Sequence, residues 1–281
     1  MGEIERGKPL SGEGAEVMYV VVLYGQRLED CNAYRTLLHD RERVFVFDNS
    51  PNPSVPAGLR EGWRYESHPD NPGLSAAYNR AAEYAMEEGL GWLVITDQDT
   101  TYPEGAGEEY GRLPGKYPEE KVFIPKVEIP GGKYLSPVAK RGFMTALADR
   151  PLHGRIDLKD AAIINSGLMV ELDSFFLCGG YNDKVFLDFS DFQFIDRLSK
   201  VVERGRVTEM LLRQSFSAKV DSPEAQMRRF GMFCRSLSGY EREGAGQRVG
   251  LLLTVWKRAV ALGLANRSAR PLAIALRNYR F

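Results

Sequence analysis

Gly91-Trp92-Leu93-Val94-Ile95-Thr96-Asp97-Gln98-Asp99-Thr100 is an apolar run, short enough for one buried strand, that ends in two acids one residue apart. Open α/β sheets place their ligands at the carboxyl ends of their strands. Alternate carboxylates emerging there suit a divalent cation held against a diphosphate, because hard cations take oxygen ligands and keep substrate phosphates among them. The plainer reading is a polar turn after a strand, and Asp-x-Asp alone arises often by chance.

The surrounding sequence adds weight. Glu16-Val17-Met18-Tyr19-Val20-Val21-Val22-Leu23-Tyr24 reads as an opening buried strand, and Arg43-Val44-Phe45-Val46-Phe47 as a second that runs into Asp48-Asn49-Ser50-Pro51. Asp70-Asn71-Pro72-Gly73 is a turn opening a helix, with Leu74, Ala77, Tyr78, Ala81, Ala82 and Ala85 at helical spacing. That helix leads into the Asp97 strand. The predicted architecture is α/β, with a mainly parallel central sheet and flanking helices.

These features in this order resemble the family 2 glycosyltransferases, and within them a bacterial rhamnosyltransferase-like branch. The similarity continues through Asn165-Ser166-Gly167, Gly179-Gly180-Tyr181-Asn182-Asp183 and Phe186-Leu187-Asp188-Phe189-Ser190-Asp191-Phe192-Gln193-Phe194-Ile195-Asp196-Arg197. It covers the chain from about residue 17 to about residue 220. It implies a glycosyltransferase A-type fold, with a Rossmann-like nucleotide-binding half joined to an acceptor-binding half. The implied activity is inverting transfer of a sugar, rhamnose first, from a nucleoside-diphosphate sugar to a hydroxyl of a cell-surface glycan or lipid-linked acceptor. The favoured donor is dTDP-rhamnose, with a UDP-hexose next.

The resemblance also distributes roles. Tyr24, Asp48, Asn71, Gly73, Asn79, Asp97 and Gln98 fall to the nucleotide sugar, Asp48 reading the pyrimidine ring and Asp97 the ribose. Asn79 binds the nucleotide or holds the loop that carries Asp97. Asp99, with Asp97 and Gln214, falls to Mg²⁺ or Mn²⁺. Relatives often carry a histidine where Gln214 stands; its amide carbonyl can ligate a hard cation, more weakly. Arg213 would add charge there. Asp191 takes the place of the base that accepts the acceptor's proton, with Asp188 supporting it and Gln193 where relatives often have an acid. Gly179 and Gly180 would offer backbone N–H groups to the acceptor or donor sugar. Each has a structural competitor. Asp48-Asn49-Ser50 is good turn chemistry, and acids in the first turn of a helix cap it and complement its dipole.

Composition bounds the rest. A chain of 281 residues, 43% hydrophobic, with formal net charge −1, can bury one large α/β core and shows no basic excess calling for nucleic acid. Cys31, Cys178 and Cys234 are scattered, which argues for reduced thiols in the cytoplasm and against a disulfide framework or structural zinc. Residues 1–16 read as a loose polar arm without a signal-peptide core, residues 17–243 as the catalytic domain and residues 244–281 as a basic helical tail. From Gly244 to Phe281 there is no acid, while Arg248, Lys257, Arg258, Arg267, Arg270, Arg277 and Arg280 are basic. Two arrangements fit: a basic amphipathic helix on the anionic inner face of the cytoplasmic membrane, or a helix packed on the domain. The segment Lys126 to Asp160 is expected to be a flexible acceptor loop.

Two other classes stay open. A nucleotidyltransferase would share the fold and the acids, though Tyr24-Gly25-Gln26-Arg27 matches its phosphate loop poorly. A non-catalytic nucleotide-sugar-binding module is suggested by Gln214. A Rossmann oxidoreductase is disfavoured, because Gly244-Ala245-Gly246-Gln247-Arg248-Val249-Gly250 has the wrong spacing and no preceding strand.

Overall fold

Runs of β-branched and aromatic residues that are buried on both faces can pair only within a covered parallel sheet, and the chain opens with three of them. A computed structural model describes residues 16–140, 147–214, 222–241 and 244–279. In chain order it contains β1 (Val17–Leu23), α1 (Asn32–Thr36), β2 (Val44–Asp48), β3 (Arg64–Ser67), α2 (Leu74–Glu87), β4 (Trp92–Asp97), β5 (Thr100–Thr101) and α3 (Ala106–Lys116). There follow β6 (Val122–Ile129), β7 (Lys133–Ser136), β8 (Val138–Ala139), β9 (Arg155–Asp157), β10 (Ala161–Ala162), β11 (Met169–Glu171) and α4 (Leu172–Leu177). The chain then continues through α5 (Ser190–Leu198), β12 (Arg204–Gln214), α6 (Pro223–Gly239), α7 (Gly244–Ala265) and α8 (Arg270–Asn278).

The main sheet has the order β3-β2-β1-β4-β11-β6-β12-β5, with β7 added on β6 and β9 on β12; β8 and β10 form a separate pair. Strands β3, β2, β1 and β4 are mutually parallel. β11 enters antiparallel between β4 and β6, and β12 returns parallel to β6. Leu23 stands opposite Asp48 and Val22 opposite Asp97, so both acids leave the sheet at one edge.

One face of the sheet packs on α2, α4 and α5 through Phe45, Phe47, Ala81, Phe175 and Phe194. The other packs on α1 and α3 through Tyr19, Ala33, Tyr110 and Leu113. A third core joins α6, α7 and α8 around Phe230, Phe233, Leu251 and Val255, with Phe189 and Phe192 packed against it. Among the described residues no helix is long and apolar enough to cross a membrane.

Lys126 to Asp160 is not the loop expected. Lys126–Ile129 completes β6, which turns at Gly131 and Gly132, both with positive φ, into the antiparallel β7. Glycine meets that backbone demand without a Cβ penalty. Residues 141–146 of the segment, and 1–15 of the expected N-terminal arm, lie outside the described residues. β3 gave no sequence signal, since its four residues are only partly buried and gain their strand state by pairing with β2.

Candidate active site

The turn after β4 is held from two sides. The Asn32 backbone N–H donates to the Gln98 carbonyl at 2.9 Å, and Asn32 Nδ2 donates to the Asp99 carbonyl at 3.1 Å. Gln98 turns its amide oxygen to the Tyr24 N–H, 3.1 Å away. Across the antiparallel pairing of β12 with β5, Gln214 faces Thr100, and its Nε2 donates to Asp99 Oδ1 at 3.3 Å. Among the described residues Gln214 Oε1 is buried without a partner, an orphaned carbonyl oxygen beside a carboxylate. Such an oxygen costs free energy unless something donates to it or binds it.

Asp99 and Gln214 therefore fit a hard divalent cation that keeps substrate phosphates as its remaining ligands. Among the described residues no cluster of three or more His, Cys, Asp or Glu side chains could hold a metal unaided. Asp97, grouped with Asp99 by its spacing, turns inward instead. Its Oδ2 accepts a hydrogen bond from Ser166 Oγ, and its Oδ1 accepts one from Tyr78 OH at 3.4 Å. Burial, with the Asp99 charge adding to it, pushes its pKa up to about 6 against the opposing effect of those hydroxyls. Arg213 also departs from expectation. Successive strand residues point to opposite faces, so Arg213 lies exposed and pairs with Glu128 at 3.5 Å.

Asp48 is 4% exposed. Its Oδ1 accepts from the Ser50 N–H at 2.9 Å and its Oδ2 from Tyr65 OH at 3.0 Å, so the side chain is fixed. It lines a cavity of about 450 Å³ between the ends of β1 and β2, with Gln26, Arg27, Ser50 and Asn52 among its walls. Tyr24 stands beside this opening and is 57% exposed, an aromatic surface free to stack. Asn71 takes a positive φ of 49° and Gly73 one of 99°, and Asn49 Nδ2 donates to the Gly73 carbonyl at 3.3 Å. A Cβ at Gly73 would meet the Phe186 carbonyl at 2.6 Å, so glycine is required for this loop to pack on the segment before α5.

Asn79 turns its amide to a loop other than the one carrying Asp97. Its Nδ2 donates to the Tyr181 carbonyl and to Asp183 Oδ1, both at 2.9 Å, and its Oδ1 accepts the Tyr181 N–H at 2.8 Å. It brackets the Gly179–Asp183 loop. The two glycines likewise do not present free N–H groups: Gly179 donates to Phe176 and Gly180 to Phe175, closing the end of α4, and Arg197 takes both glycine carbonyls. Gly180, with φ of 60°, leaves room for Asn79, whose Oδ1 would lie 2.7 Å from a Cβ there.

The Asp188–Asp191 segment is shaped by strain. Phe189, immediately before α5, has φ of 70°, a left-handed conformation costly for a bulky side chain. Its ring is gripped by Phe192 and by Phe233 of α6, with centroids 5.6 and 5.7 Å away. No side chain caps α5, and Asp188 precedes the helix rather than standing in its first turn, which removes the capping alternative for that residue. Asp191 Oδ1 accepts its neighbour's N–H, from Phe192 at 2.8 Å. Burial pushes the Asp191 carboxyl up to about 7, helped by the charges of Asp97 and Asp188. Asp188 is raised too, chiefly by burial, and among the described residues its Oδ2 has no hydrogen-bond partner. Gln193 is buried and accepts from Asn182 Nδ2 at 3.0 Å, so it supports the loop.

The side chains that orient these acids, Ser166, Tyr78, Tyr65 and Asn32, were not singled out as site residues. Their pairing with the acids is not local: Ser166 is 69 residues from Asp97 and Tyr65 is 17 from Asp48.

No family model and no curated protein matches the chain by sequence. Solved structures do match in fold. The structure of GalNAc-T7 with UDP, GalNAc and Mn²⁺ superposes with a TM-score of 0.59 at 11% identity, over 82% of this chain. The chain spans 47% of that protein's length, about half. The mannosyltransferase PcManGT from Pyrobaculum calidifontis, in complex with GDP-Man and Mn²⁺, gives 0.53 at 14% identity, over 98% of this chain and 80% of that one. At such identities the likeness is one of fold, and the fold is the glycosyltransferase A type.

Proposed function

We propose that the chain is an inverting glycosyltransferase that moves a sugar from a nucleoside-diphosphate donor to an acceptor hydroxyl. What supports this most is the order of groups on the site side of the sheet: the Asp48 cavity, then the hydrogen-bonded Asp99 and Gln214, then Asp191 within electrostatic reach of Asp97. The cavity would take the base, between Tyr24 and Asp48. Asp97, oriented by Ser166 and Tyr78, would meet the ribose. Asp99 and the Gln214 carbonyl would hold Mg²⁺ or Mn²⁺, which when bound stabilises charge on the departing diphosphate.

In the transfer step an acceptor oxygen bonds to the anomeric carbon as the bond from that carbon to the diphosphate oxygen breaks. The acceptor's proton passes to a carboxylate oxygen of Asp191, whose pKa near 7 suits a general base at neutral pH. Attack from the face opposite the diphosphate inverts the anomeric centre. The favoured donor is dTDP-rhamnose, then a UDP-hexose, and the acceptor a surface glycan or lipid-linked sugar.

Residues 17–243 would form the catalytic unit and 244–281 the tail. Helix α7 buries Leu251, Val255 and Ala259 on one side, while Val249, Leu253, Val260 and Leu264 lie exposed at helical spacing on another, Leu253 and Leu264 by 63% and 76%. With no acid in the tail, this outer stripe supports peripheral attachment to the anionic inner face of the cytoplasmic membrane.

The test is a thermal-shift panel of dTDP, UDP, GDP and the corresponding triphosphates, each with and without Mn²⁺, on the parent chain and on Asp99→Ala. A nucleoside diphosphate with Mn²⁺ should stabilise the parent, by about 2.7 kcal/mol at a hundredfold excess over Kd. Asp99→Ala should fold normally and lose the metal-dependent part. No shift with any diphosphate would overturn the reading, and a response confined to triphosphates would move the chain to the nucleotidyltransferases.

A further inference from the structure

The acceptor side carries two cations that the transfer step leaves unused. Along α6, Arg229, Phe233, Ser236 and Tyr240 recur at helical spacing and so share a face. That face looks at the segment before α5: Ser236 Oγ accepts the Leu187 N–H at 3.3 Å, and Phe233 and Tyr240 touch Phe189. Arg229 extends the same face and is exposed. From α7, Arg258 lays its guanidinium over the Phe233 ring, 4.2 Å from the centroid. Both arginines lie close enough to Asp188 to pull its pKa down against burial. Among the described residues neither makes a hydrogen bond or an ion pair within 4.0 Å, and burial holds the Arg258 pKa below its ordinary value, with the neighbouring Arg229 charge also lowering it.

A partly desolvated guanidinium without a carboxylate at bonding distance is unusual, because burying a charge costs free energy unless it is paired. The facing Asp188 Oδ2 is buried and equally unpartnered. The two arginine charges act on the one Asp188 charge, with no hydrogen bond or ion pair among the three described side chains. Arginine is the side chain suited to a phosphate, through its planar fork of donors. We propose that Arg229 and Arg258 form a phosphate-binding subsite beside Asp188, so that the acceptor is a phosphorylated one, its phosphate group held by the two guanidiniums while its hydroxyl reaches Asp191. The subsite rests on the transferase reading for its place in the reaction, and on the arginine cluster alone for its affinity.

The test uses the full chain in EDTA, which removes cation-dependent binding of phosphates at Asp99. Binding of a hexose 1-phosphate and of its neutral methyl glycoside is measured by calorimetry. In parallel, flotation with phosphatidylcholine vesicles is compared with flotation when a tenth of the lipid is phosphatidic acid. The variants are Arg258→Gln, Arg229→Gln, the double variant, Arg258→Lys to preserve charge, and Asp99→Ala as a donor-side control. Thermal unfolding of each checks the fold.

The phosphate-bearing probe should bind, the neutral one should not, and the double variant should weaken the former about ten- to a hundredfold. Arg258→Lys should lose less, and Asp99→Ala nothing. Loss confined to the hexose phosphate identifies a glycan phosphate as the source, and loss confined to the anionic vesicles a lipid headgroup. Undiminished binding of both probes by the folded double variant overturns the proposal. Failure of nucleoside diphosphate to bind with Mn²⁺ would strike at the transferase reading and leave this measurement standing.

Discussion

Asp191→Asn tests the proposed base and its electrostatics together. The parent carboxyl sits at about 7 against an ordinary 3.8. Below about pH 4 both folded and unfolded chains hold this proton, and the group's contribution to stability is fully present. Between about pH 4 and 7 the unfolded chain releases the proton first, so stability falls as pH rises, and above the folded pKa the contribution is lost. The whole gap would amount to about 4 kcal/mol. Asp191 is partly accessible, and solvent screening reduces this to about 1–2 kcal/mol. Asparagine carries no charge in either state. The variant should therefore equal the parent in stability near pH 4 and exceed it by about 1–2 kcal/mol at pH 8, several degrees in Tm for a chain of this size.

Activity should move the other way. Single-turnover transfer should drop about 10²- to 10⁴-fold in the variant, while nucleotide affinity holds, because Asp48 and Asp97 are untouched. Parent kcat/KM should fall as pH drops through about 7, where the carboxylate gains a proton. Unfolding curves from pH 4 to 8 and rapid-quench transfer assays provide both readouts. A fully active variant, or a stability difference that stays flat across that range, would refute the assignment; Asp188→Asn is the control expected to be milder in rate.

Gly180→Ala should destabilise the chain by about 1–3 kcal/mol, since it forces a Cβ into a left-handed residue and against Asn79 Oδ1; urea unfolding measures it. Leu253→Glu with Leu264→Glu should leave thermal unfolding unchanged and weaken flotation with anionic vesicles, whereas equal flotation would assign the outer stripe of α7 another role. Truncation at residue 244 should instead lower stability, because it strips Leu251, Val255 and Ala259 from the core that grips Phe189.

The amino-acid sequence carried what depends on near neighbours. β1, β2, α2 and β4 were legible because burial and helical spacing repeat over a few residues, and Asp48, Asp97 and Asp99 were legible because acids that follow an apolar strand must emerge at its end. Gln214 was reached only through the family resemblance, since nothing local connects it to Asp99; the antiparallel pairing of β12 with β5 does so across 115 residues. The antiparallel β11, the β6–β7 hairpin and the short β3 escaped for a related reason. β3 and β11 are short and hold their state by pairing with strands outside their own segment, and β7 holds its state only against β6.

What tertiary structure alone decided was which hydrogen-bonding group each polar residue meets. A spacing cannot say that Asn79 will spend its amide on a loop 102 residues away, or that the N–H groups of Gly179 and Gly180 will close α4. Nor can it say that Phe233 of α6, with Phe192, will hold Phe189 in a left-handed turn between the two acids. Periodicity reports which face of an element is apolar; the partner on that face, and hence the charge and reach of a carboxylate, is fixed only when separate elements pack together.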